Sequence, residues 1–169
     1  MAKTYEPIAT YTVPSAQASY TFSSIPATYT DLILVAAGTT SVDGASLTLR
    51  FNSDTATNYS TTVLRGSGTA ATSTRGSNLT FLYLGYSAGF SSTQMSNAIM
   101  HIQNYANTTT YKTTISRINN ANGSTGLGTE SNVGLWRKTP EAINTIVIAA
   151  DSGNLGSGMT LTLYGIKAA

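Results

Sequence analysis

Polar and apolar side chains alternate without a break through Ser46-Leu47-Thr48-Leu49-Arg50-Phe51. Successive side chains of a β-strand point to opposite faces, so Leu47, Leu49 and Phe51 are expected to face a core and the polar residues to face water. The segment 160–163 repeats this alternation, with Leu161 and Leu163 as its apolar members. Both segments predict antiparallel strands with one buried face.

Runs of β-branched and aromatic residues, separated by clusters of Gly, Asn, Asp and Ser, recur along the whole chain. They predict strands at 8–13, 18–22, 31–38, 45–52, 61–65, 79–87, 97–105, 111–119, 132–137, 143–150 and 159–166. The runs 32–37 and 146–150 are apolar on both faces. They are therefore expected to be central strands, or strands that a partner subunit covers.

The connections between these strands carry turn residues. Asp43-Gly44 lies between two of the strongest strands and is a candidate hairpin turn, and Asn122-Gly123 is a weaker candidate. The segments 66–78 and 87–96 are rich in Gly, Ser and Thr and are expected to be loops. A capping hydroxyl, a proline and an early carboxylate within 139–142 predict a single helical turn.

About ten short strands without crossover helices or a change of composition define the expected fold. The sequence predicts one all-β domain over 1–169, an antiparallel β-sandwich of jelly-roll type with at most one short helical turn. Residues 1–7 are expected to form an extended N-terminal arm.

Charged residues make up only 9% of the chain, against about 25% in an ordinary soluble domain. No apolar run approaches the roughly 20 residues that span a bilayer, and no secretory signal opens the sequence, so neither a membrane nor export is expected. The few basic residues are scattered, which argues against a nucleic-acid partner. A surface hydrated by Ser, Thr, Asn and Gly suits a protein that packs among copies of itself.

Catalytic motifs are sparse. The chain has one histidine, His101, and no cysteine, so triads and thiolate or imidazole-rich metal sites lack most of their parts. His101 is expected to be structural, because a functional role would require a carboxylate brought from far away in sequence. Two short loops, 151–154 and 123–128, resemble a calcium loop and a phosphate loop only weakly. We therefore predict no enzyme activity, no catalytic or metal residues and no cofactor.

Two features leave functional alternatives open. Paired carboxylates for glycoside cleavage are possible among the seven acidic residues, although most lie at predicted turns. These are Glu6, Asp31, Asp43, Asp54, Glu130, Glu141 and Asp151. Trp136 is expected to plug the core, with an exposed carbohydrate platform as the alternative. The ten tyrosines are expected to close the core, with a subunit or glycan-binding surface as the alternative.

Several segments together resemble a module that recurs among virion structural proteins of tailed phages, notably phages of aquatic bacteria. The segments that carry the resemblance are 25–34, 47–60, 104–112, 135–136, 143–148 and 161–166. The similarity as a whole extends over nearly the whole chain. The resemblance implies a β-sandwich scaffold without catalysis, used in capsid decoration (cement) proteins or in tail and head fibres, both typically trimeric.

Length favours decoration, because a fibre protein needs an attachment region and a shaft, whereas these 169 residues are expected to be spent on one sandwich that begins at Met1. We therefore expect a homotrimer that bridges capsomers of the major capsid protein, made in the host cytoplasm and located in the virion. The alternative is a receptor- or glycan-binding fibre tip, and a glycan-cleaving depolymerase is a third option. The sequence assigns no binding residues.

Overall fold

The computed structural model describes residues 4–120 and 128–167, and this part of the chain is all-β, without a helix. It contains twelve strands. They are β1 (Tyr5–Thr12), β2 (Ser19–Phe22), β3 (Asp31–Gly38), β4 (Leu47–Phe51), β5 (Tyr59–Gly66), β6 (Ala71–Leu79), β7 (Leu82–Tyr83), β8 (Ser96–Ile102), β9 (Lys112–Asn120), β10 (Gly128–Trp136), β11 (Ile146–Ala150) and β12 (Thr160–Ile166).

The strands form two antiparallel sheets that stack as a sandwich. The larger sheet has the order β1-β12-β3-β8-β9-β10-β5-β6, and the smaller has the order β2-β11-β4-β7. Strands β1 to β4 alternate between the sheets, and so do β7, β8, β11 and β12, which gives the eight-stranded jelly roll that the sequence predicts. The remaining strands, β5, β6, β9 and β10, continue the larger sheet past β8, and β5 and β10 pack against strands β4 and β7 of the smaller sheet.

The core lies between the two sheets, and the alternating segments supply much of it. Leu47, Leu49 and Phe51 are fully buried, as are Leu161 and Leu163. The two runs that are apolar on both faces are central strands, as predicted: β3 lies between β12 and β8, and β11 lies between β2 and β4.

Two polar residues, Ser46 just before β4 and Thr48 within it, differ from the prediction that they face water. Ser46 and Thr48 are buried. Their hydroxyls donate to the carbonyls of Tyr86, at 3.1 Å, and Ala149, at 3.2 Å. A short hydroxyl side chain can be buried in this way because a nearby carbonyl satisfies its hydrogen bond.

The segment 66–78 was predicted as a loop, and this prediction is wrong. Most of it forms β6, an edge strand that pairs only with β5. Nearly all residues of β6 are exposed on both faces. A strand with two wet faces has no apolar alternation, so its sequence carries no strand signal.

The turn at Asp43-Gly44 exists, but it does not close a hairpin. Gly44 has a φ of 77°, and the Ala45 N–H donates to the Val42 carbonyl at 3.3 Å. The turn carries the chain from β3 in the larger sheet to β4 in the smaller one. Asn122-Gly123 lies outside the described residues, although the flanking strands β9 and β10 do pair antiparallel.

The helical turn predicted at 139–142 is wrong, because the chain runs without helix from β10 to β11. Asn52 holds this segment by donating to Glu141 Oε1 at 2.9 Å and to the Ala142 carbonyl at 2.8 Å. The Ile143 N–H donates to the Tyr105 carbonyl. The expected N-terminal arm belongs, from Tyr5 onward, to β1.

Candidate interaction surface

The outer face of the larger sheet, which points away from the core, carries a row of neighbouring side chains. Residues paired directly across antiparallel strands lie on the same face of the sheet. The register places in one row, from β12 to β10, the residues Tyr164, Ile33, His101, Ile115 and Val133. This row therefore crosses five adjacent strands.

A second row lies one step along the same strands. It contains, from β3 to β5, the residues Val35, Ile99, Arg117, Ser131 and Leu64. We call the aliphatic members of both rows, which are Ile33, Val35, Ile99, Ile115, Val133 and Leu64, the outer patch. Three of them are strongly exposed: Leu64 at 60%, Val133 at 53% and Ile115 at 47% of their surface.

Aliphatic side chains at these positions need an explanation. The outer face of an antiparallel sheet usually meets water through polar residues, which alternate with the buried apolar ones. Clustered apolar surface that remains exposed on a folded domain typically marks a site of contact with another molecule. The outer patch is therefore the strongest candidate interaction surface on the described residues.

The single histidine lies inside this surface. His101 Nε2 is 2.9 Å from Asp31 Oδ2, and the side chains are 34% and 28% exposed. The other carboxylate oxygen of Asp31 accepts the Asn104 N–H at 2.6 Å. Asp31 is thus the distant carboxylate that a functional His101 would require, and it fixes the orientation of the imidazole ring.

A shallow depression of about 230 Å³ lies beside this pair, with Ile33, Ile99, Ile115 and His101 among its lining residues. Within the described ranges, no three His, Cys, Asp or Glu side chains converge to hold a metal ion. The histidine–aspartate pair is a polar pair whose histidine lies in the row between Ile33 and Ile115.

Each of the seven carboxylates that could form a catalytic pair is engaged by the chain itself. The contacts are Glu6 with Lys167, Asp31 with His101, Asp43 with the Ser92 N–H, Asp54 with Trp136, Glu130 with the backbone of 86–88, Glu141 with Lys138, and Asp151 with the Ser46 N–H. Each acidic side chain therefore has at least one polar partner within the chain.

Trp136 plugs the core, as predicted, and the exposed carbohydrate platform proposed for it is wrong. Only 2% of its surface is exposed, and its ring packs against Phe51 and Tyr59.

The Asp54 carboxyl, which accepts the Trp136 indole N–H, has a lowered pKa. Burial alone would raise this pKa, but hydrogen bonds from Asn58, Trp136 and the backbone outweigh burial.

The tyrosines divide between core and surface. Tyr59 and Tyr105 are fully buried, whereas Tyr5, Tyr86 and Tyr111 are exposed. Burial raises the pKa of the Tyr59 hydroxyl far above its ordinary value. The buried tyrosines close the core with their hydroxyls bonded to backbone atoms, as Tyr59 does with the Phe51 N–H at 3.1 Å.

Most of the outer patch was not predicted from the sequence. The run 32–37 was expected to be central or covered by a partner, and β3, which carries Ile33 and Val35, is central. Ile115 and Val133, by contrast, are single apolar residues among polar neighbours. Only the register of β9 and β10 brings them together.

Comparisons with known proteins add no functional assignment. No protein-family model matches the chain, and no curated protein matches it. The chain is weakly similar to the crystal structure of a protein of unknown function from Shewanella oneidensis, with 10% sequence identity and a TM-score of 0.22 over 98% of this chain and 77% of that one. A similarity this weak carries no argument. The described residues contain no helix that could cross a membrane.

Proposed function

We propose that this chain is a non-enzymatic structural protein of a tailed-phage virion, and that it assembles through the outer patch. The observation that carries the proposal is the presence of Leu64, Val133 and Ile115 as exposed aliphatic residues on the outer face of the larger sheet. Apolar surface of this kind is stabilised when another protein surface covers it.

Three further features support assembly as the role. Charged residues form 9% of the chain, so little charge repulsion opposes close packing of identical copies. The acidic residues are engaged in internal contacts, which leaves no obvious pair for hydrolysis. The segments that resemble phage virion proteins include β3, β4 and β12, which build the core, so the resemblance concerns the scaffold.

Within the virion, we propose a trimer that decorates the capsid and bridges neighbouring capsomers. Three copies would cover their outer patches against one another. Each contact need be only modest, because many bound copies act together and multiply weak interactions into a stable shell. The alternative is a fibre-tip module that binds a receptor.

Labelling purified virions with gold-conjugated antibody against this chain tests the proposal. We expect label spread over the head. Label confined to the tail or fibre ends would contradict decoration and favour the fibre-tip alternative, and unlabelled particles would contradict a virion role altogether. Incubating the protein with host polysaccharide tests the depolymerase option, because release of oligosaccharides would contradict a non-enzymatic role.

A further inference from the structure

A chain of aromatic rings lies on the outer surface of the smaller sheet. The Phe81 and Tyr83 rings meet edge to face with centroids 4.9 Å apart, and Tyr83 and Tyr86 meet in the same way at 4.7 Å. Leu82, between the first two, points into the core and is buried, so Phe81 and Tyr83 point outward. Tyr86 is 38% exposed.

Groups of opposite charge flank this cluster. The Arg50 guanidinium lies 5.6 Å from the centroid of the Phe81 ring, and its Nε donates to the Thr80 carbonyl at 3.1 Å. Asp151 accepts the Ser46 N–H at 2.9 Å through Oδ1. Ser46 also donates its hydroxyl to the Tyr86 carbonyl at 3.1 Å, so Asp151 lies near the Tyr86 end of the cluster. Burial and then the Asp151 charge raise the pKa of the Tyr83 hydroxyl.

The loop that carries Tyr86 is held in place by hydrogen bonds to Glu130 of the larger sheet. Glu130, a buried carboxylate on β10, accepts the backbone N–H groups of Tyr86, Ser87 and Ala88 at 2.7, 2.7 and 2.8 Å. The Tyr86 carbonyl in turn accepts the Ser46 hydroxyl at 3.1 Å. A ligand would meet these rings without having to order the loop first, which reduces the entropic cost of binding.

We propose that Phe81, Tyr83 and Tyr86 form a platform that binds a neutral oligosaccharide of hexopyranose units. A pyranose ring has an apolar C–H face that packs on aromatic rings and a rim of hydroxyl groups that form hydrogen bonds. Arg50 can donate to these hydroxyls and Asp151 can accept from them, and their opposite charges favour a ligand without net charge.

The composition of this platform distinguishes it from the outer patch. The outer patch is mainly aliphatic, which suits a protein surface, whereas the platform combines rings with hydroxyl and charged groups. The two surfaces face opposite sides of the sandwich, because they belong to the outer faces of different sheets. Sugar binding is therefore compatible with assembly, and it does not depend on the proposed virion role.

Affinity electrophoresis of the full chain tests the platform, with native gels that contain dextran, galactomannan, mixed-linkage β-glucan or the anionic polymer alginate. We expect at least one of the three neutral polysaccharides to retard the protein and alginate to leave its mobility unchanged. The substitutions Tyr83→Ala and Tyr86→Ala should each weaken the retardation by roughly tenfold or more. Tyr111→Ala, at an exposed tyrosine outside the cluster, should leave it unchanged.

Circular dichroism of each variant identifies any loss of binding that reflects unfolding, and Tyr86, the most exposed ring, is the substitution expected to disturb the fold least. Three results would overturn the proposal: no retardation by any neutral polysaccharide, retardation by alginate alone, or retardation that persists in folded Tyr83→Ala and Tyr86→Ala proteins.

Discussion

The Trp136 indole N–H donates to Asp54 Oδ2 at 2.7 Å, which joins the end of β10 to the turn after β4. Both residues are buried. Asn58 donates to the same oxygen at 2.9 Å, and the Ala56 N–H donates to Oδ1 at 3.0 Å. One carboxylate therefore satisfies three donors and holds the largest side chain of the core in place.

Replacing Asp54 should destabilise the fold. Asp54→Ala leaves the Trp136 indole N–H buried without an acceptor, so we expect the free energy of unfolding to fall by about 2 kcal/mol or more. Urea denaturation at neutral pH measures this. Glu6→Ala is the control, since it removes a partly exposed ion pair with Lys167 and a 3.3 Å hydrogen bond from the Tyr29 hydroxyl, and it should have a much smaller effect. Equal effects of the two substitutions would contradict the role of Asp54.

The lowered pKa of Asp54 also predicts a dependence on pH. The ordinary value of 3.8 applies to the unfolded chain, and the folded value lies below it. The unfolded state then binds more protons between the two values, so this contribution to stability is present above pH 3.8 and is lost as the pH falls through the folded pKa. The loss of unfolding free energy caused by Asp54→Asn should therefore be smaller at pH 3 than at pH 7. Urea denaturation of both proteins at the two pH values measures this, and an equal loss at pH 3 and pH 7 would contradict the prediction.

Substitution of Glu130 should destabilise the fold more than substitution of most other polar residues. Glu130→Ala removes the acceptor for three backbone N–H groups in a buried place, and we expect a loss of about 3 kcal/mol. Glu130→Gln keeps one acceptor oxygen and should lose less. Ser131→Ala, at the exposed neighbouring position, should change the stability by less than about 0.5 kcal/mol. Thermal denaturation measures these losses. If Ser131→Ala destabilised the protein as much as Glu130→Ala, the conclusion that Glu130 holds the loop 86–88 would be wrong.

The inward orientation of β4 can be tested with two leucines. Leu49 is fully buried and Leu64 is 60% exposed. Leu49→Asp places a charge without a partner between the sheets, which costs several kcal/mol, so the protein should not fold. Leu64→Asp should remain soluble with an unchanged far-ultraviolet circular dichroism spectrum. A folded Leu49→Asp protein would show that the assignment of this face is wrong.

The elements that bury one face were predictable from the sequence, because burial imposes a pattern. The prediction for β3 was correct at both ends, and the inward residues of β4 and β12 were identified from alternation alone. β6 was missed because it buries neither face. The helical turn at 139–142 was predicted from local propensity, which hydrogen bonds from distant Asn52 override.

The candidate surfaces were harder to predict from the sequence than the strands that bury one face. The outer patch depends on the register of several strands, and no short segment contains more than a few of its residues. The sequence favoured a core position for Trp136 over an exposed carbohydrate platform, and the side chain is in the core. The outward-facing ring cluster is formed by Phe81, Tyr83 and Tyr86, and among these three Tyr86 is the exposed one. Phe81 and Tyr83 face outward because the buried Leu82 lies between them in the strand.

The molar mass of the purified protein in solution, measured by light scattering after size-exclusion chromatography, tests assembly through the outer patch most directly. The proposal predicts a trimer of about 53 kDa from chains of 17.6 kDa. Val133→Asp, in the patch, should give a monomer, whereas Val42→Asp, at an exposed valine outside the patch, should leave the trimer intact. A wild-type protein that stays monomeric up to about 100 µM, or a Val133→Asp protein that remains trimeric, would contradict the account.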